Sequence, residues 1–500
     1  MQAYASDTTN DAFTAAQTRF GAMVAWLSSD QAGAMTHAQL EARLHTDGLA
    51  LLRQLMQDSL DLRACRERRL HEVADAEGVR RGTAEEGRER GLATIFGEVT
   101  VARIAYRARA RANLHPADAL LNLPPGKHSH GLRRLAAVEA TRGSYADAAA
   151  AIERATGMRV GKRQVEELAA QAAVDVEGFY TARAPQAGQP GDAVVLSFDA
   201  KGVVMRPQGL REATAKTAAS RKLSGRLSRG EKRCRKRMAE VAAVYDLTPA
   251  PRSIADILPD GEEAHGKARP APTAGAKWLT ASVTDDAATV IAAGFAEATR
   301  RDPDHQRTWV ALVDGNVHQL ERIRAEARTR KVEVSIVVDF IHVIEYLWRA
   351  AWCFFGEGDR RAETWVRGHA RAILHGRASI VAAAIGRKAT YHGLDPGQRT
   401  GVDACATYLI NKRPWLDYPT ALARGWPIAT GVIEGACRHL VKDRMDITGA
   451  RWGLAGAEAV LKLRALVSNG DFDAYWARHL TQEQQRVHKA RYIGGVIPTR

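Results

Sequence analysis

The chain has 500 residues, which allows about three domains, and with 45% hydrophobic and 26% charged residues its composition is that of a folded protein and excludes a mainly disordered one. Lys and Arg number 72 against 57 Asp and Glu, so the formal net charge of +15 points to a polyanionic partner, most often nucleic acid. The five cysteines form no CxxC pair, and neither an apolar run of about 18 residues nor a signal-peptide pattern is found, so we expect a cytoplasmic protein without a disulfide framework or a membrane span.

The N-terminal part of the sequence has the pattern of helices followed by a hairpin. Residues 1–93 carry Ala, Leu, Arg and Glu at helical spacing and predict a helical region. Apolar residues then alternate, which predicts a hairpin that turns near Gly97, within a hairpin and connector region at 94–126. The alternating residues are Ile95, Val99, Val101, Ile104 and Tyr106.

A helix-turn-helix DNA-binding domain is predicted in the next segment, residues 127–188. Ser144 is placed as the N-cap of one helix, Asp147 completes its capping box, and Gly157 is suited to end it. A second helix with a basic start follows, and in a helix-turn-helix this helix enters the major groove. An ordinary helical hairpin fits the pattern equally well. The candidate DNA contacts at the start of the second helix are Lys162, Arg163 and Gln164.

From residue 189 the pattern changes to α/β. Short apolar runs predict strands at 193–198, 203–205, 241–245, 278–283, 309–313 and 332–338, and helices are predicted at 286–300 and 319–330. This is the element order of an RNase H-like core, a mixed sheet with flanking helices, over 189–340. We expect an all-helical insertion at 341–425 and completion of the core at 426–500.

The positive charge is concentrated in one segment. Residues 201–240 contain thirteen Lys and Arg against three acids, a local surplus of 13 − 3 = +10, and a loop is predicted at 206–238. We interpret this segment as an arm that contacts DNA phosphates, with a solvated surface as the alternative. The candidate contacts are Arg221, Lys222, Arg226, Lys232, Arg233, Arg235, Lys236 and Arg237.

Three acidic residues are candidates for holding metal ions. Asp199 and Asp314 each end a predicted strand and precede a turn, and Glu434 is predicted on a helix. Carboxylates that hold two hard cations are what in-line phosphoryl transfer requires. Because aspartate also starts turns and caps helices, a structural role for either aspartate stays open.

Four further polar residues are candidates for a role beside these acids. Arg438 and Lys442 follow Glu434 at i+4 and i+8, which predicts a shared helix face that serves either surface ion pairs or a bound phosphodiester. Asp339 and His342 follow another predicted strand. They are interpreted either as an N-cap with a structural histidine or as support and DNA contact beside the metals.

Several sequence blocks together point to a known family. The blocks SFDAKG, VDGN, VDFIH and IATGVIEG lie at 197–202, 313–316, 338–342 and 428–435, and LHPAD, GKRQV, MDITGARW and NGDFD lie at 114–118, 161–165, 445–452 and 469–473. In this order they resemble the Kra-type insertion-sequence transposases of bacteria, relatives of the Mutator-like group of DDE transposases. The resemblance extends from about residue 90 to the C-terminus.

The resemblance implies an RNase H-like core with a helical insertion before the last acid. It implies that Asp199, Asp314 and Glu434 are the catalytic acids and metal ligands, and that Asp339 and His342 form the acid-x-x-His signature of the wider group. The spacings of 314 − 199 = 115 and 434 − 314 = 120 residues leave room for the insertion. Some relatives bind zinc through cysteines near the hairpin; residues 106–111 contain no cysteine, so no zinc is expected.

The function implied is that of a DNA transposase with two Mg²⁺ or Mn²⁺ ions. Water would cut at the terminal inverted repeats, and the freed 3′-OH would then attack target DNA without a covalent protein intermediate. The expected partners are double-stranded DNA, as element ends and target, and further copies of the chain in a homo-oligomeric DNA complex, in the cytoplasm at the nucleoid of a bacterium. The alternatives are a catalytically silent helix-turn-helix DNA-binding protein and an RNase H-like nuclease without strand transfer.

Overall fold

A computed structural model of the chain describes residues 11–219, 235–259, 269–447 and 449–499. Its contacts divide the chain into two compact units, one of residues 1–181 with 470–500 and one of residues 182–469. Among the described helices, none is both long enough and apolar enough to cross a membrane.

The first unit begins with helices and a two-stranded hairpin. These elements are α1 Thr14–Leu27, α2 Asp30–Gly33, α3 His37–Arg66, β1 Thr83–Thr94, β2 Gly97–Arg107 and α4 Pro116–Leu120. The turn near Gly97 is confirmed, but the prediction that residues up to 93 are helical is wrong, because β1 already begins at Thr83. The first half of β1 is polar and largely exposed, so it lacks the apolar alternation by which strands are predicted.

A cluster of short helices forms the rest of the first unit. These are α5 His130–Arg142, α6 Tyr145–Thr156, α7 Lys162–Ala172 and α8 Val176–Thr181, with α21 Phe472–Glu483, a π-helical turn Gln484–His488 and 3₁₀ turns Lys489–Arg491 and Ile493–Gly495. The predicted capping box of Ser144 and Asp147 is confirmed, and Gly157 ends α6 in the left-handed conformation with φ of +69°. Helices α5, α6 and α7 pack on one another around buried Ile152 and Val165.

The second unit is built on a mixed sheet. The described strands are β3 Ala193–Val204, β4 Lys236–Thr248, β5 Thr273–Ser282, β6 Trp309–Val313 and β7 Val334–Val338, in the order β5-β4-β3-β6-β7. Strand β4 runs antiparallel to both of its neighbours, β5 and β3. Strands β3, β6 and β7 run parallel to one another. The predicted α/β fold with a mixed sheet and flanking helices is therefore confirmed.

One strand differs from its prediction in a way that affects the site. The runs predicted as separate strands at 193–198 and 203–205 form the single strand β3, so Asp199 lies inside a strand and not at its end. Antiparallel pairing with β4 continues from Ala193 to Val204 and holds the residues between the two runs in the sheet. This pairing joins segments far apart in the chain, and local pattern does not reveal it.

Helices cover both faces of this sheet. The described helices of the second unit are α9 Glu212–Ala219, α10 Ile254–Ile257, α11 Ala287–Arg301, α12 Val317–Arg330, α13 Phe340–Ala351, α14 Arg360–Leu374, α15 Ala378–Tyr391, α16 Thr400–Lys412, α17 Tyr418–Ala423, α18 Gly431–Ala436, α19 Asp443–Met445 and α20 Leu454–Ser468. There are also 3₁₀ turns at Pro207–Gly209 and Arg413–Trp415 and a π-helical segment, Cys437–Lys442. α11 packs on one face, where Gly294 lets Phe198 approach. α13 to α17 share a core with Val195 and Leu312.

Candidate active site

Two of the predicted acids lie level with each other on neighbouring parallel strands. β3 and β6 pair in register up to Ser197 and Leu312. Two residues further on, the same register puts Asp199 level with Asp314, on the same face of the sheet because side chains alternate with a period of two. Neighbouring strands are about 4.8 Å apart, so the backbones that carry the two carboxylates are close.

Asp339 extends this row to a third strand. The last paired residues of β6 and β7 are Val313 and Val338. The residues that follow them, Asp314 and Asp339, therefore lie level with each other. The Asp339 N–H donates to the carbonyl oxygen of Val313 at 2.8 Å, which keeps the backbone at this level beyond the end of the strand. The structure thus brings three predicted aspartates into one row across β3, β6 and β7.

The backbone holds the first two carboxylates of the row. Both side chains belong to half-buried residues. The Asp199 Oδ1 atom accepts the N–H of Ala200 at 2.7 Å, and the Asp314 Oδ1 atom accepts the N–H of Asn316 at 2.8 Å. Gly315 has φ of +88°, a conformation that glycine adopts without strain, so the turn predicted after Asp314 is present.

Asp339 is fully buried and serves two purposes in the structure. Its Oδ1 atom accepts the N–H of Ile341 at 2.8 Å as the N-cap of α13, so the capping interpretation is confirmed. Its Oδ2 atom accepts the hydroxyl of Thr430, whose oxygen also lies 3.2 Å from Glu434 Oε1. Burial raises the pKa of Asp339, the Thr430 hydroxyl opposes this rise, and the charge of Glu434 adds to it. Asp339 and Glu434 are therefore joined through one hydroxyl group.

The helix that carries Glu434 also reaches the other end of the row. Cys437, three residues after Glu434, is 3% exposed and donates its thiol hydrogen to Asp199 Oδ2 across 3.2 Å. Burial, with the neighbouring Asp199 charge, raises the pKa of the Cys437 thiol. Because Thr430 contacts Asp339 and Cys437 contacts Asp199, the exposed Glu434 lies on a helix anchored at both ends of the aspartate row.

Glu434, Arg438 and Lys442 were predicted to share one face of an α-helix, but the α-helix does not extend over all three. The α-helix ends at Ala436 and a π-helical segment follows, in which a turn takes more residues and the i+4 alignment is lost. Arg438, with a side chain 77% exposed, has its Nε atom 3.7 Å from Asp443 Oδ1. The structure therefore pairs Arg438 with Asp443, and Lys442 is exposed at the end of the segment.

His342 is directed to a neighbour on its own helix. Its Nδ1 atom lies 3.2 Å from the Oε2 atom of Glu345, one turn further along α13. The side chain is partly exposed. The structure thus gives Asp339 and His342 different partners, although both belong to the start of α13.

Two residues of α16 complete the surroundings of Asp314. The Tyr408 hydroxyl donates to the backbone oxygen of Asp314 at 3.2 Å. One turn further on, Lys412 is 7% exposed, and its Nζ atom lies 5.8 Å from the centre of the Trp415 ring. Burial lowers the pKa of Lys412 and the charge of Asp314 opposes this effect. A nearly buried ammonium group therefore lies in the electrostatic field of Asp314.

Sequence reasoning missed four residues of this site, namely Thr430, Cys437, Tyr408 and Lys412. Thr430 and Cys437 flank Glu434, but a hydroxyl and a single thiol carry no metal-ligand spacing by which to select them. Tyr408 and Lys412 lie about a hundred residues from Asp314 in the chain. Only the packing of α16 brings them together with it.

The three predicted acids have the chemistry of ligands for hard divalent cations. Asp199, Asp314 and Glu434 offer carboxylate oxygens, the ligands that Mg²⁺ and Mn²⁺ prefer. Within the described residues, no group of three or more His, Cys, Asp or Glu side chains is arranged to hold a metal ion. In the structure Asp199 accepts a hydrogen bond from Cys437, and Glu434 is in contact with Thr430.

The residues predicted to contact DNA in the first unit lie at the start of α7. Lys162 and Arg163 are exposed, and Arg163 Nε lies 3.1 Å from Glu167 Oε1 on the same helix. Gln164 has a structural use, because its Oε1 atom accepts the N–H of Gly161 at 3.1 Å and caps the helix. Lys162 and Arg163 thus remain available to a ligand at the helix N-terminus.

The basic segment is described only in part. Arg221, Lys222, Arg226, Lys232 and Arg233 lie outside the described residues. Lys236 is exposed at the start of β4, beside half-buried Arg235. Arg237 has an internal role, because its Nε atom donates to the carbonyl oxygen of Val283 at 2.5 Å and Nη1 donates to that of Gly209 at 3.3 Å.

The comparisons with known proteins identify no relative. No model of a known protein family matches the chain, and no match is found among curated proteins.

Proposed function

We propose that the chain is a DDE-type DNA transposase that cleaves DNA at the ends of an insertion sequence and joins those ends to target DNA. The observation that carries the proposal is the level placement of Asp199 and Asp314 on adjacent parallel strands, with Glu434 on a helix anchored to both ends of the same row. Aspartates level with each other on neighbouring parallel strands suit metal-dependent phosphoryl transfer.

The topology supports an RNase H-like core. Three antiparallel strands followed by two parallel ones, in the order β5-β4-β3-β6-β7, are the arrangement expected of that fold. The helical segment α13 to α17 lies between β7 and the helix of Glu434, where the resemblance implies an insertion. Joining of the cleaved ends to target DNA is the property that separates a transposase from a nuclease on the same core.

Asp199, Asp314 and Glu434 would hold the metal ions. Two Mg²⁺ or Mn²⁺ ions would activate the attacking hydroxyl and stabilise the leaving oxygen. The nearly buried Lys412, on the helix whose Tyr408 contacts the backbone of Asp314, would add positive charge to this region. The buried Cys437 thiol donates its hydrogen to Asp199, and the scheme we propose uses attack by water and then by a DNA 3′-OH without a covalent protein intermediate.

DNA binding is assigned to two basic regions. The exposed Lys162 and Arg163 at the start of α7 suit a recognition helix, in which the N-terminal residues contact base edges. The basic segment 201–240 suits contacts to phosphates that are independent of base sequence. The expected partners are double-stranded element ends and target DNA, with a homo-oligomer that pairs two ends at the bacterial nucleoid.

Substitution Asp199→Asn tests the proposal. The probe is the genomic DNA that flanks the gene, end-labelled and incubated with the full chain and Mg²⁺. Cleavage should be abolished while DNA binding in a gel-shift assay is retained, because the amide keeps the size of the side chain but removes its charge. The exposed Asp304→Asn serves as the matched control and should cleave normally.

Two outcomes would count against the proposal. Full cleavage by Asp199→Asn would show that this carboxylate is not in the metal site. Cleavage by the unsubstituted chain without joining of the 3′ ends to a supercoiled plasmid would identify a nuclease instead of a transposase.

A further inference from the structure

The π-helical segment Cys437–Lys442 receives hydrogen-bond donors from outside its own helix. In this segment the Asp443 N–H donates to the carbonyl of Arg438, five residues earlier. The carbonyl oxygen of Leu440 accepts the Arg464 Nε–H at 2.9 Å, and that of His439 accepts from Arg464 Nη2. Arg464 is 8% exposed. A buried carbonyl without a donor is costly, so this guanidinium stabilises the π-helical backbone.

The helix that carries Arg464 is itself fixed to the sheet. On α20, the Glu458 carboxylate accepts the hydroxyl of Ser282 at 2.8 Å and the N–H of Val283 at 2.8 Å at the end of β5. At the other end of α20, the Ser468 hydroxyl oxygen lies 2.9 Å from His439 Nε2. Two side chains of α20 therefore hold the π-helical segment. Arg464 contacts the backbone carbonyls of the segment, and Ser468 contacts the His439 side chain.

The π-helical segment in turn fixes the acids. Cys437 is its first residue and hydrogen-bonds Asp199, and Glu434 lies one turn before it. Beyond the segment the chain is tied to β3, since the Trp452 N–H donates to the carbonyl of Val204 at 3.0 Å. Conversion of the π turn to an α turn shifts the helix by about one residue, a rotation of about 100°. Because the far end is tied to β3, that rotation would fall on the helix of Glu434.

We propose that Arg464 is a positioning residue that stabilises the π turn and thereby keeps Glu434 and Cys437 aligned with Asp199. The inference deepens the proposed function and rests on it for its effect on catalysis. Its effect on the geometry of Cys437 is independent of what the protein does.

Arg464→Met and Arg464→Lys test this role, with Arg330→Met as the matched control. Arg330 also donates to a helix carbonyl, that of Ala292 at 3.2 Å, but between α12 and α11 on the opposite face of the sheet. In Arg464→Met we expect kcat for cleavage of flanking DNA to fall by about 10- to 100-fold with little change in KM, as for other residues that orient metal ligands. Arg464→Lys, which keeps one donor group, should restore part of that loss.

Alkylation of Cys437 by iodoacetamide, followed by mass spectrometry of the native protein, gives the second readout. The rate should increase at least several-fold in Arg464→Met and remain unchanged in Arg330→Met. Unchanged kcat together with unchanged alkylation would overturn the inference, and so would equal increases in both variants. If Arg464→Met does not fold, the same comparison with Arg464→Lys decides the question. If the unsubstituted chain cleaves no DNA, the proposed function fails, whereas alkylation still tests the role of Arg464.

Discussion

At the scale of single residues, one hydroxyl group joins two acids of the site. Thr430 has one hydroxyl hydrogen, and its oxygen contacts both Asp339 and Glu434. Asp339 is completely buried, so its carboxylate depends on the Thr430 hydroxyl and the Ile341 N–H for hydrogen bonds. The role we infer for Asp339 is therefore to fix Thr430, and through it Glu434, in addition to capping α13.

Substitution of Thr430 tests this connection. Thr430→Val removes the hydroxyl at nearly constant volume and should lower kcat for DNA cleavage by about 10- to 100-fold, the usual effect of losing a group that orients a metal ligand. Thr430→Ser keeps the hydroxyl and should retain most of the activity. Thr390→Val, at an exposed position on α15, is the control and should behave as the unsubstituted protein. Equal activity of the Val and Ser variants would contradict the assignment.

At the scale of elements, blocks that carry the family resemblance have structural contacts away from the acids. Asn469 donates to the carbonyl of Leu279 and accepts its N–H, at 3.0 and 2.8 Å, which fixes the end of α20 against β5. In the first unit, Asp118 lies 3.1 Å from Arg103 Nε, with both side chains buried. Residues of the NGDFD and LHPAD blocks therefore hold structural elements in place.

The basic segment can be tested as an element. The prediction uses Lys232, Arg233, Arg235 and Lys236, and leaves out Arg237 because it donates to two backbone carbonyls. Replacing these four residues by Ala should weaken binding to specific and random duplexes alike. The slope of log affinity against log salt should fall by up to about four, about one for each lost phosphate contact. An unchanged slope in a fluorescence-anisotropy titration would identify the segment as a solvated surface.

At the scale of the whole molecule, the first unit is assembled from both ends of the chain. The Tyr475 hydroxyl donates to the carbonyl of Ala172 at 2.5 Å, and Arg133 Nη1 donates to Glu483 Oε2 at 2.6 Å. Residues 350 positions apart thus share a buried ion pair. A fragment that ends near residue 181 lacks these partners, so DNA binding by the first unit is better assayed in the full chain.

The buried pair of Arg133 and Glu483 should contribute strongly to stability. Glu483→Leu leaves a buried guanidinium without its carboxylate, and we expect the free energy of unfolding to fall by about 3–5 kcal/mol. Glu153→Leu breaks an exposed, solvent-screened pair with Arg159 and should lower the free energy of unfolding far less. Urea denaturation of the first unit, followed by tryptophan fluorescence, measures both. Equal effects would show that the buried pair has no special role.

The sequence alone predicted features that depend on neighbouring residues. The capping box of Ser144 and Asp147 and the left-handed Gly157 are set by contacts within a few residues, so they could be read from local pattern. The same holds for the apolar runs of β6, which is completely buried, and β7, which is partly buried. Neither run has a helical period. The turn after Asp314 likewise follows from its own glycine.

Tertiary structure alone decided what lies beside what. β3 continues through Asp199 because β4 pairs with it along its whole length. The π turn after Glu434 has its Leu440 carbonyl bonded by Arg464, which belongs to another helix. Tyr408 contacts the backbone of Asp314 only through the packing of α16. Each of these contacts joins residues at least 24 positions apart, and their free energy comes from burial and hydrogen bonds that form only when the chain is folded. The acids of the candidate site were predicted from local pattern together with the family resemblance, whereas the groups that contact them required the fold.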